Sequence, residues 1–530
     1  MNASSDLQVR PFGRALVAAP TGRESAEFDS YAIDQLGVPQ PTLMENAGRS
    51  AAMVLQRLYP RGQVTALVGT GNNGGDALVL LRNLAAWDRP VTAVLVGEHE
   101  GDETLLHGWG IRVFHDSDFG GDQALLDGEL AQAEVIVDGV LGTGISGPPR
   151  ERQAWAIQGM NRAEAPTVAL DIPSGADAVT GAVPGDCVDA QVTVAFGGAK
   201  LGSLLHPARG SVGRLVVVEI GFPPVEADTF PGTLITPEWV SRRLPRRDPD
   251  THKNAVGALF LVAGRSGMAG AAVLAARAAL RAGAGFVRMG SPPENRGILQ
   301  QAVPEAVYVD ASDPSALQEA IRASRALGVG PGLGTEEEGA ILLERVLERG
   351  DTRPLLLDAD ALNLIATGRA TPLKEIGESR DTVITPHPGE MSRLTGLEPV
   401  KIVGHRPEVA LQLAVETGCT VLLKGLPSLV ATPTGSLLVD TVGTSDLASA
   451  GMGDVLSGVI SSFLAQGSSS SEAAALGLHT SGRAAVRTGL GASLTPEDVV
   501  ATLPAALKER GPGTSDLDLP FVLFDQDPSR

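Results

Sequence analysis

Cysteine is nearly missing from this chain. Cys187 and Cys419 are the two thiols in 530 residues, so a disulfide framework is not expected and buried free thiols are. Metal capture by so distant a pair is disfavoured. No apolar run reaches the ~18 residues of a membrane span. Residues 1–20 lack the uninterrupted apolar core of a signal peptide; they read as a short disordered lead, and the expected location is the cytoplasm. Positive charge is also short: 42 Lys and Arg face 62 Asp and Glu, a net charge of −20. That argues against a nucleic-acid partner, and the acidic surplus reads as solubility. Aromatics are 4% of the chain, and no internal repeat is visible.

Glycine is what the chain has in excess: 64 residues, roughly twice the usual share. With Ala, Val and Leu it suits α/β domains with many tight strand–helix turns. The length is too great for one ordinary core, so two domains are expected. Short Val-rich runs at 64–68, 91–96, 111–114, 134–138, 166–171, 191–196 and 214–219 read as parallel strands covered on both faces. Helices are expected at 24–36 and 43–58. Pro223-Pro224 closes this half. A Pro- and Arg-rich stretch around 242–249 reads as a linker. A second alternation begins at Gly257. Strands are expected at 285–290, 306–309, 326–330, 354–358, 381–385, 420–424, 428–432 and 437–440, with helices at 269–283, 336–349, 406–417, 453–465 and 471–487. The tail from about 511 is Gly-, Asp- and Pro-rich and is expected to fray.

Two glycine-rich loops carry the chemistry. In the first, Gly69, Gly71 and Gly74 fit a dinucleotide-binding turn, and Glu98, after the next strand, has the spacing of a ribose-binding acid. Asn72, Asn73, Gly74, Gly75 and Asp76 make the loop more polar than that turn needs. Asp76 can cap the following helix or meet a ligand directly. Asp138 and Asp171 end two further strands, followed by Gly142-Thr143-Gly144-Ile145-Ser146-Gly147-Pro148 and by Ile172-Pro173-Ser174-Gly175. Carboxyl ends of parallel strands line one crevice, so these groups are expected to converge. Oxygen donors from Asn, Asp and Ser suit a hard cation.

These segments, with Met44-Glu45-Asn46-Ala47-Gly48 and Val137 to Gly144, resemble NAD(P)H-hydrate epimerase over about residues 20–222. The resemblance implies that Asn72 to Asp76, Gly142 to Pro148 and Asp171 meet the hydrated cofactor. It also implies that Asn73, Asp138 and Ser174 hold a potassium ion, with Asp171 catalytic. Ala77 stands where the family commonly has another Gly.

In the second loop, Gly451-Met452-Gly453-Asp454 opens an apolar helix whose N–H groups form an anion hole for a transferring phosphoryl group. Asp454 can take a proton from a hydroxyl. Lys424-Gly425 ends a strand and can grip nucleotide phosphates, or can be a surface lysine. His252-Lys253-Asn254, Gly267 to Ala271, Gly330 to Gly334, Asp358 to Asn363 and Thr385 to Glu390 appear in order. Together they resemble ADP/ATP-dependent NAD(P)H-hydrate dehydratase over about 233–510, a ribokinase-like family. By that resemblance Ala271, Gly334, His387 and Asp454 meet the hydrate, with Asp454 catalytic. Lys424, Gly425, Leu426, Pro427, Ser428 and Gly453 meet the nucleotide. Met452 departs from the usual Thr or Ser, and Ser428 from the commoner Thr. His387, between two prolines, can instead be a rigid-loop residue.

The expected architecture is a Rossmann-like α/β/α domain at 14–225, a linker at 226–250 and a ribokinase-like α/β domain at 251–512. The expected function is repair of hydrated NADH and NADPH: R and S forms are interconverted and the S form is dehydrated at the expense of ADP or ATP. Potassium at the first site and Mg2+ with the nucleotide at the second are the implied cofactors. A homo-oligomer without nucleic-acid or membrane partners is expected. A vitamin-like-alcohol kinase fused to a binding domain is the enzymatic alternative, and a regulatory module without turnover is the non-enzymatic one.

Overall fold

The computed structural model describes residues 11–99, 102–144, 147–224, 226, 229–247, 250, 256–348 and 350–527. Residues 252–254, 145 and 146, singled out above, lie outside these. Contacts divide the chain into two compact units. One runs to Thr236 and adds Pro512 to Pro528; the other is essentially Pro237–Gly511.

In chain order the first unit contains β1 (Phe12–Gly13), β2 (Val64–Val68), β3 (Val91–Leu95), β4 (Arg112–His115), β5 (Val135–Gly139), β6 (Thr167–Leu170), β7 (Val192–Phe196), β8 (Arg214–Val218) and β9 (Gly232–Ile235). The second unit contains β10 (Ala258–Val262), β11 (Phe286–Ser291), β12 (Val307–Asp310), β13 (Ala326–Val329), β14 (Leu355–Leu357), β15 (Thr382–Ile384), β16 (Thr420–Leu423), β17 (Leu429–Ala431) and β18 (Leu437–Asp440). The last strand, β19 (Val522–Gln526), returns to the first unit.

The first sheet has the order β1-β19-β8-β7-β6-β5-β2-β3-β4. From β8 to β4 all neighbours are parallel. Every residue of β2, β3, β5 and β7 is buried, which explains their continuous apolar runs: helices cover both faces. Strand order reverses between β2 and β5, the place where an open α/β sheet leaves a crevice for a ligand. In the second unit the order β12-β11-β10-β13-β14-β15-β16-β17-β18 reverses between β10 and β13. Its strands are parallel up to β16 and antiparallel from β16 to β18. No helix among the described residues is long and apolar enough to cross a membrane.

Two expectations fail at the chain's ends. The tail is not frayed. β19 pairs antiparallel with β8 on one side and β1 on the other. Leu517, Val522 and Phe524 are at most 2% exposed. Arg214 grips Asp525 through two bonds of 2.7 Å, and Arg14 Nε donates to the Val522 carbonyl at 3.0 Å. A Gly-, Asp- and Pro-rich composition lowered the apparent order, but three buried side chains and a ladder on both edges outweigh it. Likewise the lead is ordered from Pro11: β1 joins the sheet, and Val17 to Ala19 are buried. Within the stretch read as a linker, the described residues include β9 and a helix, Pro237–Arg243, with Trp239 and Val240 buried.

Candidate active sites

At the first reversal, β2 ends in Gly69-Thr70-Gly71 and the helix Asn72–Ala86 follows. The turn is tight. A Cβ on Gly69 would lie 1.9 Å from the Val140 carbonyl oxygen, and one on Gly74 would lie 1.8 Å from that of Gly69, so no larger residue fits. The helix cap is Gly71, with no side-chain cap. Asp76 is therefore not the cap left open above: it lies a turn inside the helix, buried. The uncapped N–H groups are left for a ligand.

Asn73, Asp138 and Ser174 do come together, around Leu141. Asn73 Nδ2 donates to the Leu141 carbonyl at 2.8 Å, while its Oδ1 is buried without a partner. Ser174 donates its hydroxyl to Asp138 at 2.5 Å and its backbone N–H at 2.7 Å, and accepts from Leu141 N–H at 2.8 Å. Burial raises the Asp138 carboxyl to about 6 against the pull of these bonds. An orphaned amide oxygen beside a buried carboxylate and a hydroxyl fits a weakly charged cation. Among the described residues no group of three His, Cys, Asp or Glu could hold a metal.

A cavity of about 890 Å³ opens at these loops. Asn72, Asn73, Asp76, Gly142, Thr143, Gly144 and Asp171 line it, as do Asp29, Glu98 and Lys200; Gly74, Gly75, Gly147 and Pro148 do not. Asp171 has a left-handed backbone, φ 63°, a strained conformation that clusters at functional sites. Its carboxylate accepts from Phe196 N–H at 3.1 Å and from Lys200 Nζ at 2.5 Å. Lys200 is 2% exposed and also donates to the Phe196 carbonyl at 2.8 Å. Asp29 comes from the helix Gly22–Asp34, whose start is fixed by reciprocal bonds between Thr21 and Glu24. Burial, partly countered by Lys200, raises Asp29 to about 6. Burial and then the Asp171 charge push Asp76 well above the usual carboxylate range. One cavity thus holds carboxyls that burial biases toward their protonated form and an ion-paired carboxylate, a pairing suited to proton transfer.

In the second unit, Asp358 after β14 and Lys424 after β16 meet the first turns of the helix Met452–Ala465. That helix starts from Gly451, at φ 88°, with no side-chain cap. Lys424 Nζ donates to Asp358 Oδ1 at 2.7 Å, and Ser457 Oγ donates to Asp358 Oδ2 at 2.6 Å. Asp358 is 1% exposed. Burial alone would raise its carboxyl, but the Lys424 ammonium and these bonds hold it below the ordinary value. A Cβ on Gly453 would lie 3.6 Å from Lys424 Nζ and 3.9 Å from Asp358 Oδ2, so the helix start, the lysine and the aspartate form one cluster. Asp454 is raised to about 6 by burial and then by the Asp358 charge, against Lys424.

The remaining residues fall around this cluster. Ala359, at φ 50°, kinks the chain between Asp358 and Asp360. Asp360 accepts from the Gly334 N–H at 2.8 Å. A Cβ on Gly332 would lie 3.0 Å from that of Ala271, so the helix Ala269–Arg281 begins against the 330–334 loop. Gly425 N–H donates to Ser428 Oγ at 3.3 Å. His387 caps the helix Pro388–Thr395: its Nδ1 accepts from Gly389 and Glu390 N–H at 3.0 and 3.3 Å, and its side chain is 50% exposed. Its Nε2 lies 3.5 Å from Glu390 Oε1, and with half the side chain exposed both readings of it stand.

The family described as YjeF-related protein N-terminus matches residues 40–202, and the NAD(P)H-hydrate dehydratase family matches residues 259–505. The bifunctional NAD(P)H-hydrate repair enzyme of Moorella thermoacetica is 36% identical over 88% of this chain and 91% of its own length. That of Salinibacter ruber is 37% identical over 89% and 92%. The chain belongs to the bifunctional NAD(P)H-hydrate repair enzymes. Its second half also resembles the solved ADP/ATP-dependent NAD(P)H-hydrate dehydratase of Bacillus subtilis, at 29% identity, covering 52% of this chain and 98% of that one, with a TM-score of 0.45.

In this repair-enzyme chain, sequence reasoning missed Asp29 and Lys200. Asp29 sits on an amphipathic helix where an acid reads as solvated surface, and Lys200 in Gly197-Gly198-Ala199-Lys200 reads as a turn. No local signal marks either. Asp358 was visible at a strand end but carried no role.

Proposed function

We propose that this chain repairs hydrated NADH and NADPH in two steps, the first unit interconverting the R and S hydrates and the second dehydrating the S form. Family membership supports the pair of activities. The observation that carries the second step is the cluster of Lys424, Asp358 and the open helix start at Gly453, with Asp454 beside it.

In the first unit the reactive carbon bears a hydroxyl next to the ring nitrogen. Asp76, which burial and the Asp171 charge bias toward its protonated form, would give its proton to that hydroxyl; the nitrogen lone pair expels water and a planar cation forms. The Asp171 carboxylate, held by Lys200, stabilises the positive charge. Water then adds to either face and returns the proton, so the epimers exchange. A potassium ion at Asn73, Asp138 and Ser174 would supply a fixed positive charge that braces the loops. Asp138→Ala is expected to remove ion binding and weaken hydrate binding by about tenfold, the scale of lost outer contacts at a metal site. Calorimetric titration with hydrate in potassium and in a large organic cation checks this; equal affinity in both would refute it.

In the second unit Asp454 takes the proton of the ring hydroxyl as it attacks the terminal phosphoryl group of ADP or ATP. Lys424 and the N–H groups at 451–453 balance the developing charge. Phosphate is a good leaving group where hydroxide is poor, so it departs as the neighbouring ring carbon loses a proton, regenerating the double bond. Mg2+ would arrive with the nucleotide, held by its phosphates and few protein carboxylates. Lys424, Gly425, Leu426, Pro427, Ser428 and Gly453 would meet the nucleotide, and Ala271, Gly334 and His387 the hydrate. The epimerase would then occupy the unit that runs to Thr236 and adds Pro512 to Pro528, and the dehydratase the unit Pro237–Gly511. The same reading carries a cytoplasmic, homo-oligomeric enzyme.

Recovery of the reduced-nicotinamide absorbance from mixed hydrates, with and without ADP or ATP, tests the whole reading. No recovery with either nucleotide would sink it, and a stable phosphorylated product would favour a kinase. Lys424→Ala is expected to raise the KM for nucleotide by about 10- to 100-fold, the loss of a charged phosphate contact, without altering epimerisation. An unchanged KM would make this lysine purely structural.

A further inference from the structure

The helix Arg406–Thr417 opens with an arginine that neither reaction uses. Arg406 is 9% exposed. Its Nη1 donates to the Leu426 carbonyl at 3.0 Å, and its Nη2 to the carbonyls of Pro427 at 2.7 Å and Lys424 at 3.4 Å. Every one of these acceptors belongs to the 424–428 loop. Burial alone acts on its charge, lowering the guanidinium to about 10, and its Nε is buried without a partner. A buried arginine ordinarily faces a carboxylate; among the described residues this one bonds peptide carbonyls alone.

The loop closes tightly on it. Gly425 has φ 150°, and a Cβ there would lie 2.3 Å from Arg406 Nη2, so the glycine is required by the arginine as well as by its own backbone. In a trans peptide the carbonyl and the N–H point in opposite directions. Holding the Lys424 and Pro427 carbonyls therefore turns the Gly425 and Ser428 N–H groups away from the guanidinium. The partner of the Gly425 N–H is the long 3.3 Å contact to Ser428 Oγ, which an oxyanion can replace.

We propose that Arg406 is a positioning residue of the nucleotide site: it fixes the 424–428 loop so that its N–H groups present to phosphate, and its charge, lacking a carboxylate, favours an anion on that loop. This rests on reading 424–428 as the nucleotide loop. The alternative is a staple that merely holds the fold together.

The test uses the full chain. Arg406→Lys keeps charge but cannot span three carbonyls; it is expected to raise the KM for ADP by about 10- to 100-fold, with the KM for S hydrate within about twofold and R/S interconversion unchanged. Guanidinium ion added to Arg406→Ala should recover ADP affinity in part, which a staple role does not predict. Gly425→Ala keeps the arginine in the sequence but sets a Cβ against its guanidinium, parting it from the loop; it decides the matter should the arginine variants not fold, and it should show the same ADP-selective loss. Equal losses for ADP and hydrate, or an unchanged ADP KM while Lys424→Ala weakens ADP, would overturn the proposal. If Lys424→Ala, Arg406→Lys and Gly425→Ala all leave the ADP KM unchanged, the loop itself is not the nucleotide site and the proposal falls with that reading.

Discussion

Replacing Asp454 with asparagine is expected to lower dehydration of the S hydrate by about 100- to 10,000-fold while R and S hydrates continue to interconvert. The shape survives and the basicity does not. Burial and the Asp358 charge raise Asp454 from 3.8 to about 6, so the native enzyme should lose dehydration roughly tenfold per pH unit below about 6. The stability consequence has the opposite sense. A carboxyl bound more tightly to its proton in the folded state contributes stability below 3.8, and this is lost as pH rises through about 6. Asp454→Asn should therefore melt higher than native protein at pH 7, with the difference vanishing near pH 3. Calorimetry beside a coupled absorbance assay reads both effects. Near-native dehydration by the variant would remove Asp454 from the chemistry.

Removing residues 512–530 is expected to abolish epimerisation while dehydration of the S hydrate persists. The deletion takes away β19, the strand between β1 and β8. Leu517 and Val522 are buried in the first core and Phe524 is buried as well; at ~1.5–3 kcal/mol each the three contribute roughly 5–9 kcal/mol. That rivals the whole stability of an ordinary domain, about 5–15 kcal/mol. The ladder of β8 is left open, and Arg214 loses Asp525. A fragment ending at residue 228 has the same defect and should aggregate, whereas adding 512–528 to it as a covalent extension should restore solubility and turnover. A milder probe is Phe524→Ala, with about 3–5 kcal/mol lost. A truncated chain that still exchanges R and S hydrates and shows both thermal transitions would contradict this account.

The parallel strands were legible because burial on both faces writes them as unbroken Val-, Leu- and Ile-rich runs. The loops that end them were legible because close backbone approach at Gly69 and Gly74 admits no other residue. The same logic exposed Asp138, Asp171 and Asp454, each set beside a glycine turn. What stayed hidden arrives from elsewhere in the chain. Asp29 and Lys200 reach the cavity from elements whose local pattern is ordinary, and Arg406 looks like any helix-opening arginine until its three carbonyl partners are seen. The choice between cap and ligand for Asp76 depended on where the helix begins, a boundary that sequence marks only within a few residues. β19 was missed for a related reason: its partners lie hundreds of residues away, and flanking Gly, Pro and Asp masked a short alternating run.

Because β19 closes the first sheet, the order of synthesis and the order of folding part company. A ribosome finishes β8 roughly 300 residues before it makes Val522, an interval of about 15–60 s at ~5–20 residues per second. Throughout it the nascent first unit carries an inner strand paired to β7 on one edge and open on the other, while the second unit emerges with all its own strands and can complete itself. The half encoded first is thus the half that matures last, and its edge at β8 is the surface that a chaperone would have to shield until the final strand arrives.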